Sequence, residues 1–374
     1  MHILAVDVGG STQDILLFDS ARAPEDCLRM VMLAPTVLLA REIQRATQRG
    51  EAICLVGETM GEGPCCKALE DHLAAGLTVY ATPESARTLG DDLGRAQSLG
   101  VRLVSDDEAK QLVHIRQLRT GDLDMINIRS ALRALGDQDQ FDGLAVAVFD
   151  HGRVPRGEND RRFRFRYLVQ GVQGSGQLSA FAYPANQIPP EQTRMLAVAK
   201  IAPPDLPLMV MDTAAAAVLG ALEDPVVHEM HHKVVANVGN YHTLAFDLQE
   251  REVLGLFEHH TELLSPFKLE TLLRRLAAAA LTDAEVFDDH GHGAWIREHP
   301  SAPVEFLAVT GPQRAMLRGS ILKPYFAVPY GDAMMAGCWG LIRAAVAVMP
   351  EWVDGILDAL DAAAEPPSAL WGEG

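Results

Sequence analysis

The sequence lacks the features that mark secreted, membrane-spanning and nucleic-acid-binding proteins. Its five cysteines are an odd number at irregular spacing among 374 residues, which argues against a disulfide framework. Basic residues are scarce: 32 Lys and Arg stand against 50 Asp and Glu, and the formal net charge of −18 disfavours a surface that neutralises nucleic-acid phosphates. The longest apolar stretches, residues 206–222 and 333–349, are rich in Ala and Gly and contain charged residues, whereas a membrane span needs about 20 apolar residues. We therefore expect neither a nucleic-acid partner nor a membrane partner.

Residues 1–7 show neither the basic start nor the small-residue cleavage site of a secretory signal, so we expect a cytoplasmic location. At about 150 residues per domain, the length is consistent with two domains. A second block of strands and helices begins near Pro203 and Pro204. The sequence thus predicts an amino-terminal domain over 1–204 and a carboxy-terminal domain over 205–374.

Apolar runs and helical patterns alternate along the chain, as they do in α/β proteins. Residues 2–8 and 15–18 predict two strands joined by the Gly-rich turn at residues 9–12. Residues 233–238 and 243–248 predict the same strand–loop–strand unit about 230 residues later. The repetition predicts two similar α/β halves rather than one long sheet.

The first of these loops combines a carboxylate with glycines and hydroxyls. Asp7 ends the predicted strand, and it is followed by Gly9, Gly10, Ser11 and Thr12. Glycines let backbone N–H groups approach an anion, and a carboxylate with hydroxyls suits Mg²⁺ and phosphate. On their own, the same residues also suit an ordinary hairpin turn.

The second loop repeats this pattern with different polar side chains. Its residues are Asn237, Gly239, Asn240, His242 and Thr243. Two such loops facing each other would hold a triphosphate between two domains. A third turn, formed by Gly311, Pro312 and Gln313, follows another predicted strand and lets the backbone approach a nucleoside.

Two predicted helices rich in small residues each begin at an aspartate, Asp212 in one and Asp332 in the other. Small side chains allow two helices to cross closely. Each aspartate either works in a cleft or caps its helix.

In their order along the chain, these five motifs resemble those of the actin-like ATPase superfamily, which includes sugar kinases and the ATPase domain of heat-shock chaperones. The resemblance covers residues 7–340 and implies an α/β fold of two ribonuclease-H-like domains with ATP and Mg²⁺ in the cleft between them. Residues 57–64, 80–84 and 239–243 resemble more closely a branch whose members often carry the label putative pyruvate formate-lyase activating enzyme. That chemistry needs an iron–sulfur cluster on a CxxxCxxC run, and the five cysteines contain no such spacing.

The resemblance gives each motif an expected role. Asp7 becomes the carboxylate that organises Mg²⁺, and the two loops surround the β- and γ-phosphates from opposite sides. The third turn is expected near the nucleoside, where Asp332 contacts the ribose or caps its helix. Asp212 is the expected catalytic base, because sugar kinases place theirs at a similar helix start, and helix capping is the alternative.

One residue departs from the superfamily pattern. The second loop usually begins with Asp, where this chain has Asn237. An amide can still hydrogen-bond a metal-bound water but carries no charge, which predicts slow hydrolysis or binding without turnover. Glu58 and Glu62 follow a buried strand, where they bind the acceptor, complete the metal shell or belong to a turn that caps the next helix.

Two further patterns invite other interpretations. Residues 228–232 satisfy HExxH, but a proline before them and a strand after them leave no room for a metalloprotease helix. His259, His260, His290 and His292 could add metal ligands, although the sequence favours no metal there. Residues 161–167 alternate Arg with aromatic residues, which predicts an edge strand or a contact with an anionic partner.

Two functions follow from these observations. The first is an enzyme that hydrolyses ATP or transfers its γ-phosphate to a small molecule, with Asp7, Glu58 and Asp212 as catalytic residues. The second is an ATP-gated activator or switch whose closure a partner protein reads, with slow or no turnover.

Overall fold

The computed structural model describes residues 1–90, 92–136, 140–297 and 304–364. The strands are β1 (His2–Val8), β2 (Thr12–Asp19), β3 (Leu28–Leu33), β4 (Ile53–Gly57), β5 (Val79–Ala81), β6 (Arg102–Leu103), β7 (Arg116–Thr120), β8 (Gly143–Val148), β9 (Ala182–Pro184), β10 (Leu208–Asp212), β11 (His232–Val238), β12 (His242–Gln249), β13 (Glu252–His260), β14 (Gly293–Ile296), β15 (Phe306–Thr310) and β16 (Tyr325–Phe326). The helices are α1 (Pro35–Arg49), α2 (Pro64–Ala74), α3 (Pro83–Ala86), α4 (Leu93–Ser98), α5 (Asp106–Gln111), α6 (Met125–Ala134), α7 (Asp160–Ser175), α8 (Thr193–Ile201), α9 (Thr213–Ala221), α10 (Pro225–His228), α11 (Pro266–Ala277), α12 (Asp283–Phe287), α13 (Ala336–Val348) and α14 (Val353–Ala364).

Two six-stranded sheets share the order of five strands, β3-β2-β1-β8-β10 in one and β13-β12-β11-β15-β16 in the other. The first runs β3-β2-β1-β8-β10-β9 and the second runs β14-β13-β12-β11-β15-β16. In both, an antiparallel meander supplies the first strands and a parallel strand joins the far side of the meander's first strand: β8 beside β1, and β15 beside β11. This repeated order confirms the predicted α/β fold with two ribonuclease-H-like halves.

A third, four-stranded sheet is inserted between β3 and β8. Its order is β6-β5-β4-β7, and all of its pairs are parallel. The crossover helices α1, α2 and α3 connect or cover these strands, as parallel pairing requires. The insertion has its own apolar core, built from residues such as Ile43, Leu55 and Leu69.

Helices α9 and α13 lie between the two six-stranded sheets and cross at backbone contact. A Cβ added at Gly220 would lie 1.7 Å from the carbonyl oxygen of Ala336, and one at Gly340 would lie 1.8 Å from that of Ala216. The same core contains Phe18 from the first sheet and Phe246 from the second. The small residues in both helices therefore serve the close crossing that the sequence predicts.

The predicted domain boundary at residue 204 falls between strands β9 and β10, which both belong to the first sheet. The strand β10 lies in the first sheet, parallel to β8, so that sheet continues past residue 204, where the sequence predicts a new domain. The boundary at 204 itself stays a prediction, and the carboxy-terminal residues 365–374 of the predicted second domain lie outside the described residues.

The predicted Arg-rich strand over residues 161–167 is wrong, because these residues lie in helix α7. The Asn159 side chain caps the helix by accepting the N–H of Arg162, and Gly176 ends it in a left-handed conformation. The buried side chains of Arg164, Leu168 and Val172 follow one another at four-residue intervals, which is the helical period that the alternation of Arg and Phe conceals.

Among the described residues, no single helix has both the length and the apolar content of a membrane span. Only a bent pair, Ala333–Val348 with Pro350–Leu360, reaches them together, across an angle of 112°.

Candidate functional site

The two repeated hairpin loops line one cleft of about 1420 Å³. Of the predicted site residues, those in its wall are Asp7, Gly9, Gly10, Thr12, Asn237, Gly239, Asn240, His242, Gly311 and Pro312. The insertion adds residues 59–63 to the wall, and the loop after β8 adds residues 149–160. Residues that are far apart in the chain are thus brought to one place by the two-sheet architecture.

The two hairpin loops have the same local structure. The N–H of Gly9 donates to the carbonyl of Thr12 at 2.9 Å, and the N–H of Gly239 donates to the carbonyl of His242 at 3.0 Å. A Cβ at Gly9 would lie 2.8 Å from the Thr12 oxygen, and a Cβ at Gly239 would lie 2.6 Å from the His242 oxygen. Only glycine fits this turn, which leaves the loop backbone bare toward the cleft.

The loops also contact each other. A Cβ at Gly10 would lie 2.1 Å from the Tyr241 ring, so this ring packs directly on the first loop. The Asn240 amide donates to the Ser11 hydroxyl at 3.3 Å and accepts from the Gln313 amide at 3.0 Å. Ser11 and Gln313, which the sequence places beside phosphate and nucleoside, therefore position Asn240.

Thr243, predicted to contact phosphate, points away from the cleft. Its side chain is fully buried, and its hydroxyl hydrogen-bonds that of Thr261 at 2.9 Å.

Two carboxylates face each other across the first hairpin. Asp7 on β1 is the register partner of Asp14 on β2, and both line the cleft. Burial raises the pKa of Asp7 to about 7 and that of Asp14 to about 8, and in Asp14 the neighbouring Asp7 charge adds to the shift. The Thr213 hydroxyl donates to Asp7, whereas Oδ1 of Asp14 is buried and has no hydrogen-bond partner within the described part of the chain.

This carboxylate pair fits a magnesium ion. Mg²⁺ prefers carboxylate oxygens and retains several waters, and an unpartnered buried carboxylate oxygen is a ligand atom that protein donors have left free. Asp14 was missed as a site residue in the sequence interpretation, although it closes the motif that begins at Asp7. The period-two register of the hairpin was the signal that could have found it.

In the second hairpin, Asn237 takes the place of Asp7 and Leu244 takes the place of Asp14. The side-chain oxygen of Asn237 lies 2.4 Å from the position of a Cβ at Gly311, whose φ is +94°. The third turn therefore packs against the neutral amide, and glycine is required there for both space and conformation.

The structure gives Asp212 a structural environment. Its side chain has no exposed surface, accepts the N–H of Ala214 at the start of α9, and pairs with Arg164 at 2.6 Å. Arg164 also pairs with Glu258 at 3.3 Å, and burial raises the pKa of Glu258 to about 7. The capping alternative describes these contacts, and Asp212 is not in the cleft wall, where a base would meet an acceptor.

Glu58 and Asp332 likewise lie outside the cleft wall. Glu58 pairs with Lys200 at 2.9 Å on the outer side of its loop. The Asp332 side chain accepts the N–H of Met334 at 2.9 Å and so caps the turn before α13.

Residues that the sequence interpretation missed hold the insertion to the first sheet. Arg194 on α8 donates to Asp122 at 2.8 and 2.9 Å, and Asp122 accepts the N–H of Gly61 at 3.0 Å. Asp150 accepts the N–H groups of Arg194 and Met195, and burial raises its pKa to about 6. The bonded partners are separated by up to 72 residues in the chain, so no local sequence pattern predicts these contacts.

Arginine side chains also line the cleft. Arg87 and Arg95 come from the insertion, and Arg153 and Arg156 come from the loop after β8. Guanidinium groups suit an anionic ligand, and acidic side chains such as Asp92, Glu158 and Asp160 line the same cleft.

Four histidines gather at the same cleft. His151, His242 and His260 line it, and His292 lies fully buried behind them. Burial lowers the pKa of His151 to about 4 and lowers the pKa values of the other three from their ordinary range.

Comparison with known proteins places the chain in a family. It matches the family described as "Putative pyruvate format-lyase activating enzyme (DUF1786)" over residues 60–316. None of the curated proteins matches it.

Solved structures resemble the chain at low identity. The inorganic polyphosphate/ATP-glucomannokinase of Arthrobacter sp. strain KM is 12% identical, with 92% of this chain and 99% of that one covered and a TM-score of 0.35. The ROK hexokinase of Thermus thermophilus is 13% identical, with 95% and 100% covered and a TM-score of 0.30. The ethanolamine utilization protein EutJ of Carboxydothermus hydrogenoformans is 11% identical, with 91% and 89% covered and a TM-score of 0.31. TM-scores of this size support no statement about activity. The family match spans more than half of the chain, and the protein therefore belongs to the family described as putative pyruvate format-lyase activating enzyme, DUF1786.

Proposed function

We propose that the cleft binds ATP with Mg²⁺ and that the protein hydrolyses the nucleotide or transfers its γ-phosphate to a small molecule. One observation carries the proposal: two hairpins with the same glycine turn line a single cleft, and one of them presents a pair of carboxylates. Bare loop backbone binds phosphate oxygens, and paired carboxylates bind the accompanying cation.

The two loops would hold the triphosphate from opposite sides. Gly10 and Thr12 would offer backbone groups from the first sheet and Asn240 from the second, while the N–H groups of Gly9 and Gly239 close the two turns. Gly311 and Pro312 lie where the third turn meets Asn237, which makes them the expected neighbours of the nucleoside.

Asp7 and Asp14 would hold Mg²⁺, with Asn237 contributing through a water. Once bound, the ion would neutralise negative charge that develops on the transferred phosphoryl group. The Thr213 hydroxyl fixes one oxygen of Asp7, which leaves the other available as a ligand.

The acceptor is proposed to be a small anion. The cleft volume of about 1420 Å³ exceeds the 300–1,000 Å³ typical of a site for one small ligand, so a nucleotide leaves space beside it. Arg95, Arg153 and Arg156 line the cleft and would bind the anion. With Asp212 sealed by Arg164, transfer would rest on positioning and on charge stabilisation, which carry most of the catalysis in phosphoryl transfer.

The alternative function, an ATP-gated switch that acts on a partner enzyme, has an observation of its own. Asn237 replaces the carboxylate in the second hairpin, and Tyr241 from that hairpin packs on Gly10 of the first. A nucleotide between the loops would change this contact, which links occupancy to the relative position of the two sheets.

The test is a calorimetric titration of the full chain with ATP, with and without Mg²⁺, followed by measurement of phosphate release. We expect binding that depends on Mg²⁺. Release stimulated by a set of anionic metabolites supports the transferase, and slow release that no metabolite changes supports the switch. No binding of ATP in either condition would overturn both.

A further inference from the structure

Four imidazole rings from four separate elements meet at one side of the cleft. His151 follows β8, His242 begins β12, His260 ends β13, and His292 immediately precedes β14. Ring centroids lie 4.7 Å apart for His260 and His292, and 5.1 Å apart for His242 and His292. One ring nitrogen from each of His151, His242 and His292 lies within 4.8 Å of the others.

The contacts of these rings do not explain why they are buried. Among the residues that the structure describes, neither ring nitrogen of His292 has a hydrogen-bond partner, nor does Nε2 of His242, and all three nitrogens are shielded from solvent. An unsatisfied buried polar group costs about 1–3 kcal/mol, so several of them in one place call for a ligand.

We propose that His151, His242 and His292 bind one divalent transition-metal ion of the Zn²⁺ class. Zinc binds imidazole nitrogens at 2.0–2.1 Å, which places neighbouring donors of a tetrahedral site about 3.4 Å apart. The nitrogens therefore need to approach by little more than an ångström, which rotation of the side chains provides. Three nitrogen donors select zinc and its neighbours over Mg²⁺, which prefers oxygen.

The surroundings of the three rings suit such an ion. Oε2 of Glu258 lies 4.0 Å from Nδ1 of His292, where a carboxylate can orient a metal-binding imidazole. Phe149 stacks on His242 with ring centroids 4.1 Å apart, which holds that ring in place. Arg164 anchors Glu258 and lies itself in contact with the Phe149 ring.

The site would complete its coordination from the cleft. His242 lies in a strand of the second sheet, His292 immediately precedes another strand of that sheet, and His151 follows a strand of the first sheet, so the ion would join the two halves. Three histidines leave a fourth position, which His260 or an oxygen ligand in the cleft can take. This ion is distinct from the Mg²⁺ of the proposed function, because it uses nitrogen donors and needs no nucleotide.

The experiment uses the full chain without nucleotide. The protein is stripped with a chelator and titrated with Zn²⁺ against a chromophoric competitor, and Co²⁺ absorption then reports nitrogen ligation. We expect one equivalent bound, a rise in melting temperature on Zn²⁺ addition, and no displacement by Mg²⁺ in excess.

Three variants assign the ligands. His151→Gln, in a loop whose change should spare the fold, and His292→Asn should each weaken Zn²⁺ binding more than about 100-fold. His228→Gln with His231→Gln, at two exposed histidines outside the proposed site, is the matched control and should bind like the parent. The proposal is overturned if the parent binds no stoichiometric Zn²⁺, or if the control loses the ion while His151→Gln keeps it. Because ATP is absent, neither outcome depends on the proposed function.

Discussion

The two hairpins have the same backbone turn, but the side chains at matching positions differ in charge and in the ligands that they favour. In the first, Asp7 and Asp14 form a register pair, and in the second the corresponding pair is Asn237 and Leu244. Where the first loop ends in the small hydroxyl of Thr12, the second ends in the imidazole of His242. The repeat thus preserved a turn that exposes its backbone while the side chains around it diverged.

This difference teaches that a shared turn does not fix a shared ligand. Carboxylate oxygens at the first hairpin favour a hard cation such as Mg²⁺, whereas imidazole nitrogen at the second favours a softer one. The backbone N–H groups, common to both, favour an anion between them. Substitutions that exchange or remove these side chains separate the contributions.

The largest effect is expected from Asp7→Asn. This change removes the charge nearest the proposed cation while keeping the side-chain shape, so Mg²⁺-dependent ATP binding should weaken roughly 100-fold, equivalent to about 2.7 kcal/mol. Calorimetric titration measures it. Asp107→Asn, at an exposed carboxylate on α5, is the control and should bind like the parent. ATP binding by Asp7→Asn that equals the parent would show that the first hairpin does not hold the cation.

A smaller effect is expected on stability from Gly10→Ala. The new Cβ would lie 2.1 Å from a Tyr241 ring atom, and such overpacking costs about 1–3 kcal/mol in free energy of unfolding. Denaturant unfolding of the single variants and of Gly10→Ala with Tyr241→Ala completes a double-mutant cycle. The second change should remove most of the cost of the first, and additive effects would mean that the two loops do not touch in solution.

The pH dependence of the melting temperature should reveal the ionisation of Asp14, whose counterpart in the second hairpin, Leu244, cannot ionise. Because the folded-state pKa values of Asp7 and Asp14 are raised to about 7 and 8, the folded protein keeps protons that the unfolded chain loses from about pH 4 upward. Without Mg²⁺, this contribution to the free energy of unfolding is present at low pH and is lost as the pH rises through 7 and 8. Asp14→Asn removes one of the two titrations, so its melting temperature should fall less steeply between pH 4 and pH 8. If the melting temperatures of the parent and of Asp14→Asn depend on pH to the same extent, the raised pKa of Asp14 is contradicted.

The smallest effect is expected from Asn237→Asp, which makes the second hairpin resemble the first. The side chains have the same shape, and the added charge should raise Mg²⁺-dependent phosphate release by no more than about tenfold, or about 1.4 kcal/mol. Steady-state phosphate assays at saturating ATP measure it. A decrease would indicate that the neutral amide is needed where Gly311 packs against it.

The local parts of the site were predictable from the sequence. Each hairpin is a short stretch in which glycines, polar residues and flanking apolar runs lie together, so the turn at residues 9–12 and its repeat at 239–242 could be found without a structure. The close helix crossing was predictable for the same reason, since the small residues are adjacent in the sequence.

The remaining features depend on contacts between distant segments. Arg164 meets partners 48 and 94 residues away, and a basic residue in an alternating Arg and Phe run gave no sign that it would be buried between carboxylates. Strand β10 is as apolar as any strand of the second sheet, so its sequence could not show which sheet it joins. The group of His151, His242 and His292 could not be predicted, because it depends on how the ends of strands from both sheets lie in space.

The crossing of α9 and α13 has a mechanical consequence. At Gly220 and Gly340 the two backbones touch with no side chains between them, so a larger residue at either position would push the two helices apart. Because Gly10 and Tyr241 belong to loops of different sheets, we expect a shift of the helices at this crossing to change the distance between these two residues. We therefore expect the width of the cleft to depend on how closely the two helices approach at this pair of glycines.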